Sequence, residues 1–162
     1  MPRAHVPRHN ARISSFLLAV LGLSGLITLS AVTPDLMQTT AHAAAAFTVN
    51  STGDGADSNT ADGVCNDGAG NCTLRAAIQQ ANALPGTDTI NFQIGTGVQT
   101  IVLGATLPDV SGPVVIDGTT QPGYAGTPLV EVRGNDSGFT RLPWALHITA
   151  GGSTVRALAL GR

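Results

Sequence analysis

The chain has 162 residues, 43% of them apolar, which is enough for a folded core and excludes wholesale disorder. Twenty glycines and nine prolines against 11% charged residues favour frequent turns over long helices. All eight basic residues are arginine, thinly spread, and the net charge is −2, which excludes the basic stripe that binding DNA or RNA requires.

The first segment reads as an address. Arg3, Arg8 and Arg12 precede an uncharged stretch from Ile13 to Val32, and Ala41-His42-Ala43 supplies a small-x-small cleavage pattern. Residues 1–43 are therefore expected to be a secretory signal peptide cut after Ala43. An uncleaved anchor is the lesser alternative, because Gly22, Ser24, Gly25, Thr28 and Ser30 dilute the apolar run. Cleavage removes His5, His9 and His42 and leaves His147 alone, too few for a histidine metal cluster. The remaining chain carries five arginines against nine acids and is expected outside the cell or on its surface, with no membrane attachment.

Residues 44–71 read as one strand, Ala46–Val49, followed by a loop rich in Asp, Asn and Gly. Cys65 and Cys72 are close in sequence across a flexible turn, and in an oxidising compartment they predict a disulfide. On the chain-entropy account it stabilises the fold by roughly 2–3 kcal/mol. A zinc site lacks its second ligand pair. Asp54, Asp57, Asp62 and Asp67, with Asn59 and Asn66, offer the oxygens calcium accepts. Their spacing matches neither an EF-hand nor the nonapeptide calcium repeat, so plain turn chemistry is preferred and calcium is the lesser alternative. No other cofactor is implied.

Over 72–84 the period changes. Leu74, Ala77, Ile78 and Ala81 recur at helical spacing, with Arg75, Gln79, Gln80 and Asn82 opposite. Thr73 is the expected N-cap, and Pro85-Gly86 ends the helix. From 85 to 162 the chain becomes a series of short runs rich in Val and Ile, each closed by Gly, Pro or Asp: 89–92, 99–103, 113–116, 129–132, 145–149 and 154–160. No second helical pattern separates them, which argues against βαβ units and for a solenoid of parallel strands. A β-sandwich is the alternative.

Cys72-Thr73-Leu74-Arg75-Ala76-Ala77-Ile78, with Ala81-Asn82-Ala83 and Asp88-Thr89-Ile90-Asn91-Phe92 after it, resembles the CSLREA-motif domain of secreted bacterial proteins. Leu107-Pro108 and the stretch Val115-Ile116-Asp117-Gly118-Thr119-Thr120-Gln121-Pro122-Gly123-Tyr124 resemble the region C-terminal to that motif in such proteins. The resemblance covers roughly residues 46–160 and implies the first rungs of a right-handed parallel β-helix, some relatives being described as similar to polymorphic outer-membrane proteins. It carries no catalytic motif. Where the family has Ser-Leu-Arg-Glu, this chain has Thr73-Leu74-Arg75-Ala76, so half of a capping box is missing. Restoring glutamate at Ala76 is expected to stabilise the first turn. The helix is expected to cap the first rung, with Leu74, Ile78 and Ala81 over Ile90 and Phe92.

Candidate chemistry beyond this is sparse. A carbohydrate-active β-helix enzyme would need clustered carboxylates on one face, for which Asp117, Glu131, Arg133 and Asp136 are the only material. Asp117 is better explained as a turn residue, and Glu131 with Arg133 as neighbours on an outward strand face. His147 is expected to face solvent between Leu146 and Ile148, and Trp144 to serve packing rather than sugar stacking. The expected function is a secreted or cell-surface module with a structural or surface-interaction role, binding glycans or proteins. A fragment of a polysaccharide lyase or hydrolase is the alternative. Thr154–Leu160 reads as the opening of another rung, so a truncated part of a longer β-helix is expected.

Overall fold

The computed structural model describes residues 43–134 and 144–161. It contains seven strands and one helix, in the order β1 (Ala46–Val49), α1 (Leu74–Ala83), β2 (Asp88–Phe92), β3 (Gln99–Leu103), β4 (Val114–Asp117), β5 (Val130–Gly134), β6 (Thr154–Arg156) and β7 (Leu158–Leu160). The expected signal peptide, Asp136 and the segment 135–143 lie outside the described residues.

The strands form two sheets, one in the order β1-β2-β4-β6 and one in the order β3-β5-β7. Among the described residues every strand pairing is parallel, which argues against the β-sandwich alternative, since that fold is built from antiparallel sheets. From β2 onward successive strands alternate between the sheets, so each return to a sheet lays a new strand beside the last. Register stacks like on like. Phe47 pairs with Ile90, Ile90 with Ile116 and Ile116 with Val155, while Ile101 pairs with Val132 and Val132 with Leu160. Within β2, β3 and β5 the buried residues fall at alternate positions, as the two-residue period of a strand requires. Ile90, Ile101, Ile116 and Val132 are fully enclosed in one apolar cluster with Phe92, Leu74 and Ile78. Each such side chain contributes about 1.5–3 kcal/mol by leaving water.

Two of the expected strands differ. The run 145–149 forms only a single parallel bridge, Val110 to Ile148, in which the Val110 N–H donates to the His147 carbonyl and the Val110 carbonyl accepts from Thr149 and Ala150. The run 154–160 is not one strand. Ala157 adopts a left-handed backbone (φ 52°), turning the chain so that β6 joins one sheet and β7 the other. Gly118 sits against that turn, and a Cβ there would collide with the Ala157 carbonyl oxygen. Glycine is required by this close approach.

The stretch after β4 is a corner whose side chains finish the hydrogen bonding of the strand before it. Asp117 caps the 3-10 turn Gly118–Thr120 by accepting from the Thr119 N–H. The Thr120 hydroxyl donates to the Asp117 carbonyl and accepts from the Phe92 N–H at 2.7 Å. Gln121, only 1% exposed, accepts from the Ile94 N–H at 2.9 Å and donates to the Ile94 carbonyl at 2.8 Å, taking the place of a neighbouring strand. Gln121→Leu keeps the volume but leaves both backbone groups buried and unmade. We expect a loss of about 2–4 kcal/mol in urea unfolding, and a loss below about 0.5 kcal/mol would show that water replaces the amide.

Candidate functional site

Residues 72–78 are an anchor from which two layers hang. Leu and Ala favour the helix, and Thr73, as expected, caps it: its hydroxyl accepts from the Ala76 N–H and donates to the Gly55 carbonyl at 2.6 Å. Leu84 is extended before Pro85, which ends α1. Leu74, Ala77, Ile78 and Ala81 enter the apolar cluster, and α1 packs against both β1 and β2. β1 is the outermost strand of its sheet. Cys72 forms the expected disulfide with Cys65, and its backbone exchanges hydrogen bonds with Asn50.

The opposite, polar side of α1 is covered. Gln79 accepts from the Asp57 N–H, and Asn82 accepts from the Ser111 and Gly112 N–H groups while donating to the Asp109 carbonyl. Arg75 lies at the centre of this layer. Its Nε and Nη2 donate to the two carboxylate oxygens of Asp54 at 3.0 and 2.8 Å, and Nη2 and Nη1 donate to the Ala105 and Thr106 carbonyls at 2.8 Å. Asp54 in turn accepts from the Gly104 N–H. One guanidinium thus ties the helix, the 54 loop and the turn after β3 together. Position 76, where a capping box places its glutamate, is interior: Ala76 is 0% exposed, one helical turn before the buried Gln80.

The four aspartates weighed for calcium do not act together. Asp54 is held by Arg75, and Asp67 accepts from the Ala69 and Asn71 N–H groups and the Asn71 amide. That amide, with the two backbone donors, holds Asp67 below the usual carboxylate range. Asp57 and Asp62 converge on Gln80. The Gln80 Nε2 lies 3.3 Å from Asp57 Oδ1, 2.9 Å from the Asn59 carbonyl, 3.2 Å from Asp62 Oδ1 and 3.2 Å from the Val64 carbonyl. Gln80 is fully buried and its Oε1 has no partner. Among the described residues no three of His, Cys, Asp and Glu gather as metal ligands.

The carboxylates considered for catalysis are dispersed. Asp117 pairs with Arg156 across β4 and β6 and accepts from the Thr119 hydroxyl. The Arg156 hydrogen bond, opposed by burial and helped by Thr119, lowers its carboxyl to about 2. A folded-state value below the unfolded one means that the stabilisation is complete above about pH 4 and lost as pH falls toward about 2. Thermal melts between pH 5 and 2 should show a smaller acid loss for Asp117→Asn than for the parent, and equal slopes would contradict the pairing. The difference should not exceed about 2 kcal/mol, since Arg156 stands largely in water. Glu131 accepts from the Thr100 hydroxyl across the ladder at 3.2 Å, and it makes no ion pair with Arg133. Asp88 is buried at the head of β2, one carboxylate oxygen accepting from the Ala45 N–H and the other unpartnered.

His147 is half exposed, its Nδ1 2.9 Å from Asp109, with its ring 4.7 Å from that of Trp144. Trp144 is 48% exposed, more open than a packing role implies, and Ile148 points partly to solvent as well. The residues that sequence reasoning passed over are Gln80, Asn82, Asp109 and Gln121. One signal was present: the polar side of α1 carries amides and only one charge, whereas open helix faces are normally charged. Among the described residues no helix is long and apolar enough to cross a membrane. Comparison with protein families, curated proteins and solved structures found no match for this chain.

Proposed function

We propose that this chain is an exported right-handed parallel β-helix module of the CSLREA-motif type, with a structural or surface-interaction role and no catalysis of its own. The observation that carries the reading is the alternation of strands between two all-parallel sheets with apolar residues stacked in register, the arrangement a solenoid rung needs. Right-handedness is inferred from the general rule for parallel crossovers. Export is supported by the disulfide and by the leader-like sequence of residues 1–43. The structural employment of Asp54, Asp117 and Glu131 supports a module without turnover. Its partners are surface glycans or proteins, and Trp144, tilted against His147 beside Asp109, offers an aromatic platform with a polar edge.

The test uses the single tryptophan of the chain. Purified protein is titrated with surface polysaccharides and polyuronides while Trp144 emission and product release are monitored. Emission changes without product are expected for a binding module. Product formation that a single carboxylate substitution abolishes, with the fold intact, would overturn the reading in favour of a lyase or hydrolase.

A further inference from the structure

We propose that the loop Asp57–Val64, together with Gln80 beneath it, is a calcium-binding site. Four oxygens surround one amide nitrogen at 2.9–3.3 Å, two from carboxylates and two from backbone carbonyls. An amide nitrogen carries two hydrogens and cannot serve four acceptors well. With an oxygen in the place of that nitrogen, the same separations would be those between neighbouring ligands of a cation, since metal–oxygen bonds of about 2.3–2.6 Å place ligand oxygens roughly 3 Å apart. The other atom of the same amide, Oε1, is buried without a partner. Half a turn about the last side-chain bond puts this oxygen into the ring of four, an orientation that repels in the absence of a cation and completes a five-oxygen set in its presence.

The chemistry favours calcium. The donors are all oxygen, and two carboxylates match the charge of a divalent ion. Carbonyls in an irregular loop suit a flexible six- to eight-oxygen shell better than the strict octahedron of magnesium. Residues 58–64 are exposed, so water can supply the remaining ligands. Asp57 Oδ1 and Asp62 Oδ1 each accept one turn N–H, from Asn59 and Val64, and each keeps a further lone pair for a metal. Gly63, at φ +73°, lets the chain turn between the Asp62 carboxylate and the Val64 carbonyl. The loop is held at its base by the Ser58 N–H donating to Asn66 and, next to Val64, by the Cys65–Cys72 bridge. Asp54 and Asp67 take no part.

Calorimetry and melting of the full chain, in EDTA and in about 10 mM calcium chloride, test the site. A dissociation constant in the range of extracellular modules, about 10⁻⁴–10⁻³ M, and a melting temperature several degrees higher in calcium are expected. Asp62→Asn keeps the acceptor for Val64 and removes one charge, so calcium should bind at least tenfold more weakly. Asp67→Asn should bind as the parent does. Gln80→Glu should melt lower in EDTA and gain more from calcium than the parent. No heat and no shift with calcium would overturn the proposal, as would equal binding by Asp62→Asn, loss of binding in Asp67→Asn, or a magnesium shift as large as that of calcium.

Discussion

Arg75→Ala is expected to destabilise the fold by about 3–5 kcal/mol, lowering the melting temperature by roughly 12–20 °C. The side chains of Arg75 and Asp54 are 12% and 17% exposed, so removing the guanidinium leaves a largely enclosed carboxylate without its counter-charge. It also frees the Ala105 and Thr106 carbonyls and slackens three segments held by one group. The magnitude comes from burial, since an exposed pair contributes under about 1 kcal/mol. Arg75→Lys distinguishes charge from geometry. Lysine retains the positive charge but has no planar fork to reach two carboxylate oxygens and two carbonyls, so it should recover less than half of the loss. Chemical unfolding of both variants checks this. A cost below about 1 kcal/mol for alanine would mean that the loops around α1 are held by the disulfide and the apolar cluster alone.

Ala76→Glu is expected to destabilise by at least about 3 kcal/mol in EDTA, the reverse of what the motif pattern implies. From sequence, a glutamate three residues after Thr73 completes a capping box and should help by up to about 1 kcal/mol. In the fold, position 76 is fully buried, one turn before Gln80, whose amide meets the Asp57 and Asp62 oxygens. A carboxylate there either pushes its neighbours apart or is buried without its hydration. Thermal melts of the single variant decide between the two accounts. A higher melting point restores the capping box, and a drop of roughly 10 °C or more establishes position 76 as interior.

These two neighbours show how differently the two kinds of information perform. The helix was legible from residues 73–86 because its signals are local: a threonine cap, apolar residues at helical spacing and a Pro-Gly stop. The strands at 46–49 and 99–103 were equally plain, being short apolar runs between turn residues. The environment of the helix was not legible. Gln79, Gln80 and Asn82 look like a solvent face until the loops at 57–64 and 109–112 cover them, and those loops are brought there by the disulfide and by strand pairing far along the chain. The 154–160 run failed for a related reason. Alternating side chains cannot reveal that Ala157 turns in the left-handed region, since that turn is imposed by two sheets demanding one strand each.

The calcium candidates illustrate the same limit at a site. Four aspartates in fourteen residues were visible, but which of them act together depends on partners distant in sequence: Arg75 removes Asp54, while Gln80 gathers Asp57 and Asp62. By itself the sequence determined the helix, most of the strands, the disulfide and the preference for turns, because propensity, short loop closure and period act between near neighbours. Only the tertiary structure decided which polar groups face each other, because a buried donor or acceptor must find a partner wherever the packed chain supplies one. That is why Arg75 ties the loops to the helix, Ala76 falls at an interior position, and an amide from the helix meets the oxygens of the loop.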